Sequence, residues 1–404
     1  MSGALPDGEA VPEDGSLPAS ALTDVGASGF GVYVHVPFCA SRCGYCDFNT
    51  YTVEDGVERE GYVDAVLAEL SLAERVLADA GPATVGTVFF GGGTPTLLPP
   101  ADLGRILARI DQLWGLAGDA EVTTEANPES VDPSSLRALR AAGFTRISLG
   151  AQSTAPHVLA VLDRRHTPLR ATAAADEARA AGFEHVNLDL IYGTPGESPA
   201  DFAASLAAVV EAGVDHVSAY ALIVEDGTRL AARIRSGAVP APDDDVAADR
   251  YLAAEQALSA AGFGWYEVSN WARGAAARCA HNLGYWTGAD WWGFGPGAHS
   301  HIGGVRWWNV KHPARYTQRL AAGRSPGHGR ELLSAEDRHV EVVLLGVRLA
   351  AGLPAGVLTG PALREAAGAV ADGLLDAGAW AQGRAVLTLR GRLLADAVVR
   401  RLLP

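Results

Sequence analysis

Val32-Tyr33-Val34-His35-Val36-Pro37-Phe38-Cys39-Ala40-Ser41-Arg42-Cys43-Gly44-Tyr45-Cys46 joins an alternating apolar strand to three cysteines spaced by three and two residues. Three thiolates from one tight loop, with no fourth cysteine nearby, suit a cubane iron-sulfur cluster that keeps one iron free for an outside ligand. The same residues allow a second reading, a zinc knot in which His35 completes the tetrahedron. The chain supplies no second cysteine pair to support that knot.

At 404 residues the chain is long enough to bury a large core, and its length suggests two or three domains. The hydrophobic content, 48%, is spread over helix and strand patterns, so no membrane-spanning helix is expected. Residues 1–29, rich in Gly, Ala, Pro, Asp and Glu, lack the basic start and apolar stretch of a secretory signal and read as a disordered leader. Four cysteines in so long a chain make no disulfide framework, and three clustered ones call for reducing conditions, which predicts a cytoplasmic protein. A formal charge of -15 with no basic stripe argues against nucleic acid as a partner.

Behind the cysteine loop, short apolar runs at 32–36, 87–91, 121–125, 146–150, 185–190 and 216–222 alternate with helical stretches, among them 58–80, 133–142, 168–181 and 199–212. Strands buried on both faces and joined by helical crossovers form a parallel sheet. Six such units are too few for a closed eight-stranded barrel. The expected fold is therefore α/β, an open, partial (β/α)6 barrel with its site at the carboxyl ends of the strands. Residues 236–245 read as an exposed loop, 246–261 as a helix, and 265–309, dense in Trp, Gly, His and Tyr, as irregular structure. From 310 to 404 Arg/Leu/Ala helices return, and 385–389 with 393–397 read as a β-hairpin of a small, winged-helix-like domain. The expected division is a leader at 1–29, a barrel at 30–228, a linker helix with an aromatic segment at 229–309, and a C-terminal domain at 310–404.

Phe89-Phe90-Gly91-Gly92-Gly93-Thr94 ends the second run with three glycines, which let backbone come within contact of a ligand. Glu125, Gln152 and Asp189 stand at or near the ends of later strands, where a parallel sheet converges on one mouth. With the cysteine spacing, these loops resemble the radical S-adenosylmethionine (SAM) superfamily. The resemblance implies a [4Fe-4S] cluster on Cys39, Cys43 and Cys46, its free iron chelated by SAM. It also implies SAM contacts from Tyr33, Gly92, Gly93, Thr94, Glu125, Gln152, Arg164, Asp189 and Ala221.

Within that superfamily the chain resembles the oxygen-independent coproporphyrinogen III oxidase group over almost its whole length, its C-terminal part being HemN-like. The oxidases carry a further cysteine two positions after the third, where this chain has Phe48. Cys279-Ala280-His281-Asn282-Leu283-Gly284-Tyr285-Trp286 instead matches the His-Asn-x-x-Tyr-Trp element of the haem chaperone branch, HemW. That resemblance implies a chaperone that binds haem, with His281 as a haem-binding residue, and delivers it to acceptor haemoproteins, membrane respiratory complexes among them. The alternative is a coproporphyrinogen III dehydrogenase, so enzymatic activity is left open. Chemically, an imidazole from His281, His299 or His301 can ligate haem iron, while Tyr285, Trp286, Trp291 and Trp292 can cover the macrocycle and Cys279 can bond a vinyl group.

Overall fold

The computed structural model describes residues 8–57, 59–80, 84–164, 167 and 169–403. Six strands, β1 (Phe30–Val36), β2 (Val85–Gly92), β3 (Leu116–Ala126), β4 (Arg146–Gln152), β5 (His185–Tyr192) and β6 (His216–Ala221), lie side by side in chain order and all pair in parallel. Helices α1 (Tyr62–Val76), α2 (Pro100–Trp114), α3 (Pro133–Ala141), α4 (Pro156–Val161), α5 (Arg170–Ala180) and α6 (Pro199–Glu211) carry the chain back between strands. The expected open, partial barrel is present. Its core is the layer between sheet and helices, where Val32, Val34, Val88, Phe90, Ile147, Leu188 and Val217 meet Leu70, Leu103, Ile106 and Leu206.

The sheet runs on past these six strands. After α7 (Arg229–Arg235) and α8 (Asp244–Ala260), β7 (Gly264–Glu267) and β8 (Asn270–Ala272) add antiparallel to the β6 edge. Following α9 (Ala280–Thr287), β9 (Asp290–Phe294) pairs parallel with β1, and β10 (His299–Ile302), β11 (Val305–Asn309) and, past α10 (Pro313–Ala321), β12 (Gly327–Leu332) continue that edge antiparallel. The expectation of irregular structure over 265–309 is therefore corrected. Its segments are only three to five residues long between strands, too short for alternation to show, yet each satisfies its backbone on a sheet edge.

The leader reading is corrected for residues 8–29, while 1–7 lie outside the described residues. Glu9 and Arg330 exchange two backbone hydrogen bonds of 2.9 Å, so this segment covers the β12 edge, and the Gly26 N–H donates to Asp290 at 2.9 Å. Its few apolar residues, Val11, Leu17, Ala21, Leu22 and Val25, also pack on the core, at a spacing too irregular to show as a helix or strand period.

A second apolar cluster gathers Val343, Leu353, Ala366, Leu375, Leu387, Val398 and Leu402. It is built by α11 (Ala335–Gly346), β13 (Leu353–Pro354), α12 (Gly360–Ala371), α13 (Ala377–Ala381), β14 (Arg384–Ala385), α14 (Leu389–Leu393) and α15 (Ala395–Leu402). The hairpin expected from 385–389 and 393–397 is not formed, since β14 pairs with β13 instead. Thr388 caps α14 by accepting from the Gly391 N–H at 3.0 Å, and α15 buries Val398, Val399 and Leu402 on one stripe, a helical period that overrides the local alternation. No described helix is long and apolar enough to cross a membrane.

Candidate functional site

The cysteine loop leaves the carboxyl end of β1 and is closed at its base by Cys39 and Tyr51, the Cys39 N–H donating to the Tyr51 carbonyl at 2.9 Å. Gly44 fixes its far side, donating to Leu162 at 3.0 Å and accepting from Leu230 at 2.8 Å. Arg164 reaches in from just past α4, its guanidinium 3.4 Å from the Cys43 sulfur and donating to the Gly150 carbonyl at 3.0 Å. Burial pushes the Cys39 thiol up, and the Cys46 thiol up to about 11, so iron that ionised them would offset a real desolvation cost. The donor set of three partly buried thiols fits a cluster of that kind. The zinc-knot reading does not fit, because both His35 ring nitrogens are used. Its Nε2–H donates to the Asn49 carbonyl at 2.9 Å, and its Nδ1 accepts from the Tyr33 hydroxyl at 3.0 Å.

The glycine run has a reason other than a ligand. Gly92 has φ +108°, and a Cβ there would sit 2.5 Å from the His35 ring; at Gly93 it would sit 2.5 Å from the Phe38 carbonyl oxygen. These two glycines let the β2 end press against the cysteine loop, where the Gly93 and Thr94 N–H groups donate to Val36 and Phe38 at 2.8 and 2.7 Å.

Cys39, Cys43, Cys46, Gly92, Gly93, Thr94, Glu125, Gln152, Arg164, Asp189 and Ala221 all line one cavity of about 1060 Å³ at the strand ends. Two carboxylates define its inner wall. Glu125 accepts from the Gly92 N–H at 3.0 Å, and burial followed by the charge of Asp189 pushes its carboxyl up to about 8. Asp189 is likewise raised by burial, against hydrogen bonds from Ser218, Ser148 and Asn187 and the nearby Arg164 charge. A ligand donating from ammonium or hydroxyl groups relieves both. Gln152 is aimed inward by a break in β4–β5 register and sits at φ 63°, a left-handed conformation that costs a side-chain-bearing residue about 1 kcal/mol.

Tyr33 and His281 lie apart from that cavity. Tyr33 stacks at 6.3 Å on Phe89, and His281 stacks on Phe89 at 5.2 Å. His281 is only 3% exposed, with Nδ1 2.8 Å from the Thr87 hydroxyl and Nε2 2.8 Å from the Tyr285 hydroxyl. Burial holds its ring neutral, down to about 3. Here His281, expected as a haem-binding residue, is closed, buried with both ring nitrogens hydrogen-bonded. Cys279 is buried with its S–H donating to Glu121 at 3.3 Å, and Trp292 is buried edge-on against Trp307. His281→Ala removes two buried hydrogen bonds and opens a hole, so it should cost about 2–4 kcal/mol of stability, measured by denaturant unfolding. A loss under about 0.5 kcal/mol, the range of ordinary surface substitutions, would contradict this reading.

Sequence reading missed Ser148, Asn187 and Ser218, which hydrogen-bond Asp189, His216, which holds Asn187, and Arg348, Arg392 and Arg400, which line the outer cavity from the C-terminal cluster. The polar residues at alternating positions of buried strands were the available signal for the first four. Nothing local marks the arginines.

An open parallel half-barrel with three loop thiols and two carboxylates at its carboxyl mouth defines a radical SAM protein, and a family model described as the Radical SAM superfamily matches residues 33–209. The fold is similar to that of coproporphyrinogen III oxidase (HemN) from Escherichia coli, with a TM-score of 0.79 at 23% identity, covering 95% of this chain and 92% of that one. The chain is 60% identical to the protein named Heme chaperone HemW of Mycobacterium tuberculosis, over 93% of this chain and 95% of the relative. It is 33% identical to the Bacillus subtilis protein of the same name, over 80% and 84%. The chain belongs to the HemW family of the radical SAM superfamily.

Proposed function

We propose that the chain is a cytoplasmic haem chaperone that holds a [4Fe-4S] cluster on Cys39, Cys43 and Cys46 with SAM beside it, binds haem, and passes haem to acceptor proteins. The observation that carries the cofactor part is the convergence of the three thiols, Arg164, Glu125 and Asp189 on one cavity. A cluster bound there with SAM supplies one-electron reducing chemistry toward the sulfonium. The protein's own groups would orient the ligand: Glu125 and Asp189 by accepting hydrogen bonds, Arg164 by balancing a carboxylate, and the apolar Tyr192 and Leu222 by excluding water.

The haem part is supported by the relatives named Heme chaperone HemW and by Phe48, 62% exposed at the position where the oxidases have a further cysteine. With His281 closed, the axial imidazole is assigned to β10. There His299 is exposed, and His301, two residues on and so on the same strand face, lies 5.1 Å from the Trp291 ring.

Anaerobically reconstituted protein should bind haem with a shifted, sharpened absorption band and convert no coproporphyrinogen III in the presence of SAM and reductant. Carbon dioxide and vinyl product over many turnovers would establish the dehydrogenase instead. The double variant His299→Ala/His301→Ala should lose the imidazole signature, whereas folded His281→Ala should retain it. Parent-like haem spectra in the double variant would refute the assignment to β10.

A further inference from the structure

β5 reads Asn187-Leu188-Asp189 and β6 reads His216-Val217-Ser218, polar residues flanking apolar ones. Residues two apart share a strand face, so Leu188 and Val217 enter the helix-covered core while Asn187, Asp189, His216 and Ser218 turn to the barrel interior. Register sets Asn187 beside both Ser148 and His216, and Asp189 beside Ser218.

The hydrogen bonds in this patch have one consistent direction. The Asn187 side-chain amide donates to Asp189 and Ser148 at 2.7 Å and lies 3.0 Å from Ser218, while the Ser148 hydroxyl donates to Asp189 at 2.9 Å. The amide N–H2 is thus committed to these oxygens, and the Asn187 oxygen points the other way, 2.6 Å from His216 Nδ1. That nitrogen must donate. Burial keeps the His216 ring neutral, so Nε2 has a lone pair and accepts from the Tyr266 hydroxyl at 2.7 Å. The Tyr266 oxygen in turn accepts the Cys279 N–H at 3.3 Å, at the residue that opens the Cys279–Trp286 segment.

We propose that His216 is a positioning residue for the cavity carboxylate: held by Tyr266, it locks the Asn187 amide so that Asp189 keeps its donor and its orientation toward the ligand. The inference rests on the reading of that cavity as the SAM site and deepens it. A neutral imidazole is suited to the task, since it is a rigid donor and acceptor at once. Without it the Asn187 oxygen and the Tyr266 hydroxyl lose buried partners, and the amide is free to turn its oxygen toward Asp189, where like partial charges repel. Asp189 would then hold its proton to higher pH. The charged and titratable groups facing it are Glu125 from β3, Arg164 from beyond α4, Tyr45 from the cysteine loop and Tyr220 from β6; none is replaced in the variants, and each responds to the charge that Asp189 carries.

The test is calorimetric titration of SAM into cluster-reconstituted protein at pH 6.5 and 8.5, with iron and sulfide content matched. His216→Leu should bind about 10-fold more weakly at pH 6.5 and move back toward the parent at pH 8.5, since rising pH favours the ionised form of a carboxyl that has lost its donor. His216→Gln, whose amide donates to Asn187 and accepts from Tyr266, should stay close to the parent at both values. Tyr266→Phe should show a smaller loss in the same pH sense. Parent-like affinity of His216→Leu at pH 6.5, or a loss equal at both pH values that Gln does not rescue, overturns the proposal. If His216→Leu does not fold, Tyr266→Phe decides, and unchanged affinity at pH 6.5 overturns it. A parent that does not bind SAM overturns the cavity reading as well, whereas a parent that binds with all variants alike overturns the role of His216 alone.

Discussion

Cys39→Ala, Cys43→Ala or Cys46→Ala is expected to abolish the broad visible absorption of the anaerobically reconstituted protein and strip most of its iron and sulfide. A cubane held by three thiolates has no spare protein ligand, so two cannot retain it. The protein should stay folded, because the loop is fixed by backbone bonds at Cys39, Gly44 and Tyr51 rather than by its sulfurs. Iron and sulfide analysis beside a thermal melt separates the two effects. Zinc without sulfide in the parent would sink the assignment, as would a single variant that kept its full cluster.

The second large effect concerns SAM. Asp189→Ala and Glu125→Ala should each weaken binding by about 10- to 100-fold, the equivalent of roughly 1.4–2.8 kcal/mol for hydrogen bonds to a charged acceptor. The pH dependence has a definite sign. Burial and Asp189 raise Glu125 to about 8 in the free protein, so below that pH a ligand needing the carboxylate must first displace a proton. Affinity should therefore rise with pH toward 8 and then level off. Stability of the ligand-free protein should move the other way. A carboxyl raised on folding contributes stability that is full below its unfolded value near 4.5 and lost as pH climbs through about 8. Calorimetry from pH 6 to 9 on the parent and Glu125→Gln checks both signs. A pH-independent affinity in the parent would show that Glu125 does not meet the ligand as a carboxylate.

Much of this protein is legible in short stretches. The Cys39, Cys43 and Cys46 spacing, the apolar runs ending at Gly92, Glu125, Gln152 and Asp189, and the helices between them all act over a few residues or one strand-helix repeat. Their periods alone dictate parallel pairing and a shared mouth. The exposed or buried state of His281 is a different matter. Its partners Thr87 and Glu121 stand 194 and 160 residues away, and only closure of α9 onto β2 and β3 removes it from solvent. The motif names the residue, and the fold decides that it is core.

The same holds at the edges and inside the barrel. Residues 8–29 dock because the β12 edge offers backbone groups to Glu9 and the core offers a surface to Val11, Leu17 and Ala21, and short runs within 264–309 become strands because both edges of the six-stranded core are open to pairing. The inward aim of Gln152 comes from a register break, and the donor to Asp189 comes from a neighbour locked by His216 and Tyr266 on other strands. By itself the sequence determined the strand-helix alternation, the thiol loop and the carboxylates at the strand ends, since local sterics and hydrophobic period act between near neighbours. Tertiary structure alone decided which imidazole is open, which carboxylate is held and which edge is covered, because hydrogen-bond partnership and desolvation depend on residues that only folding brings within 3 Å of one another.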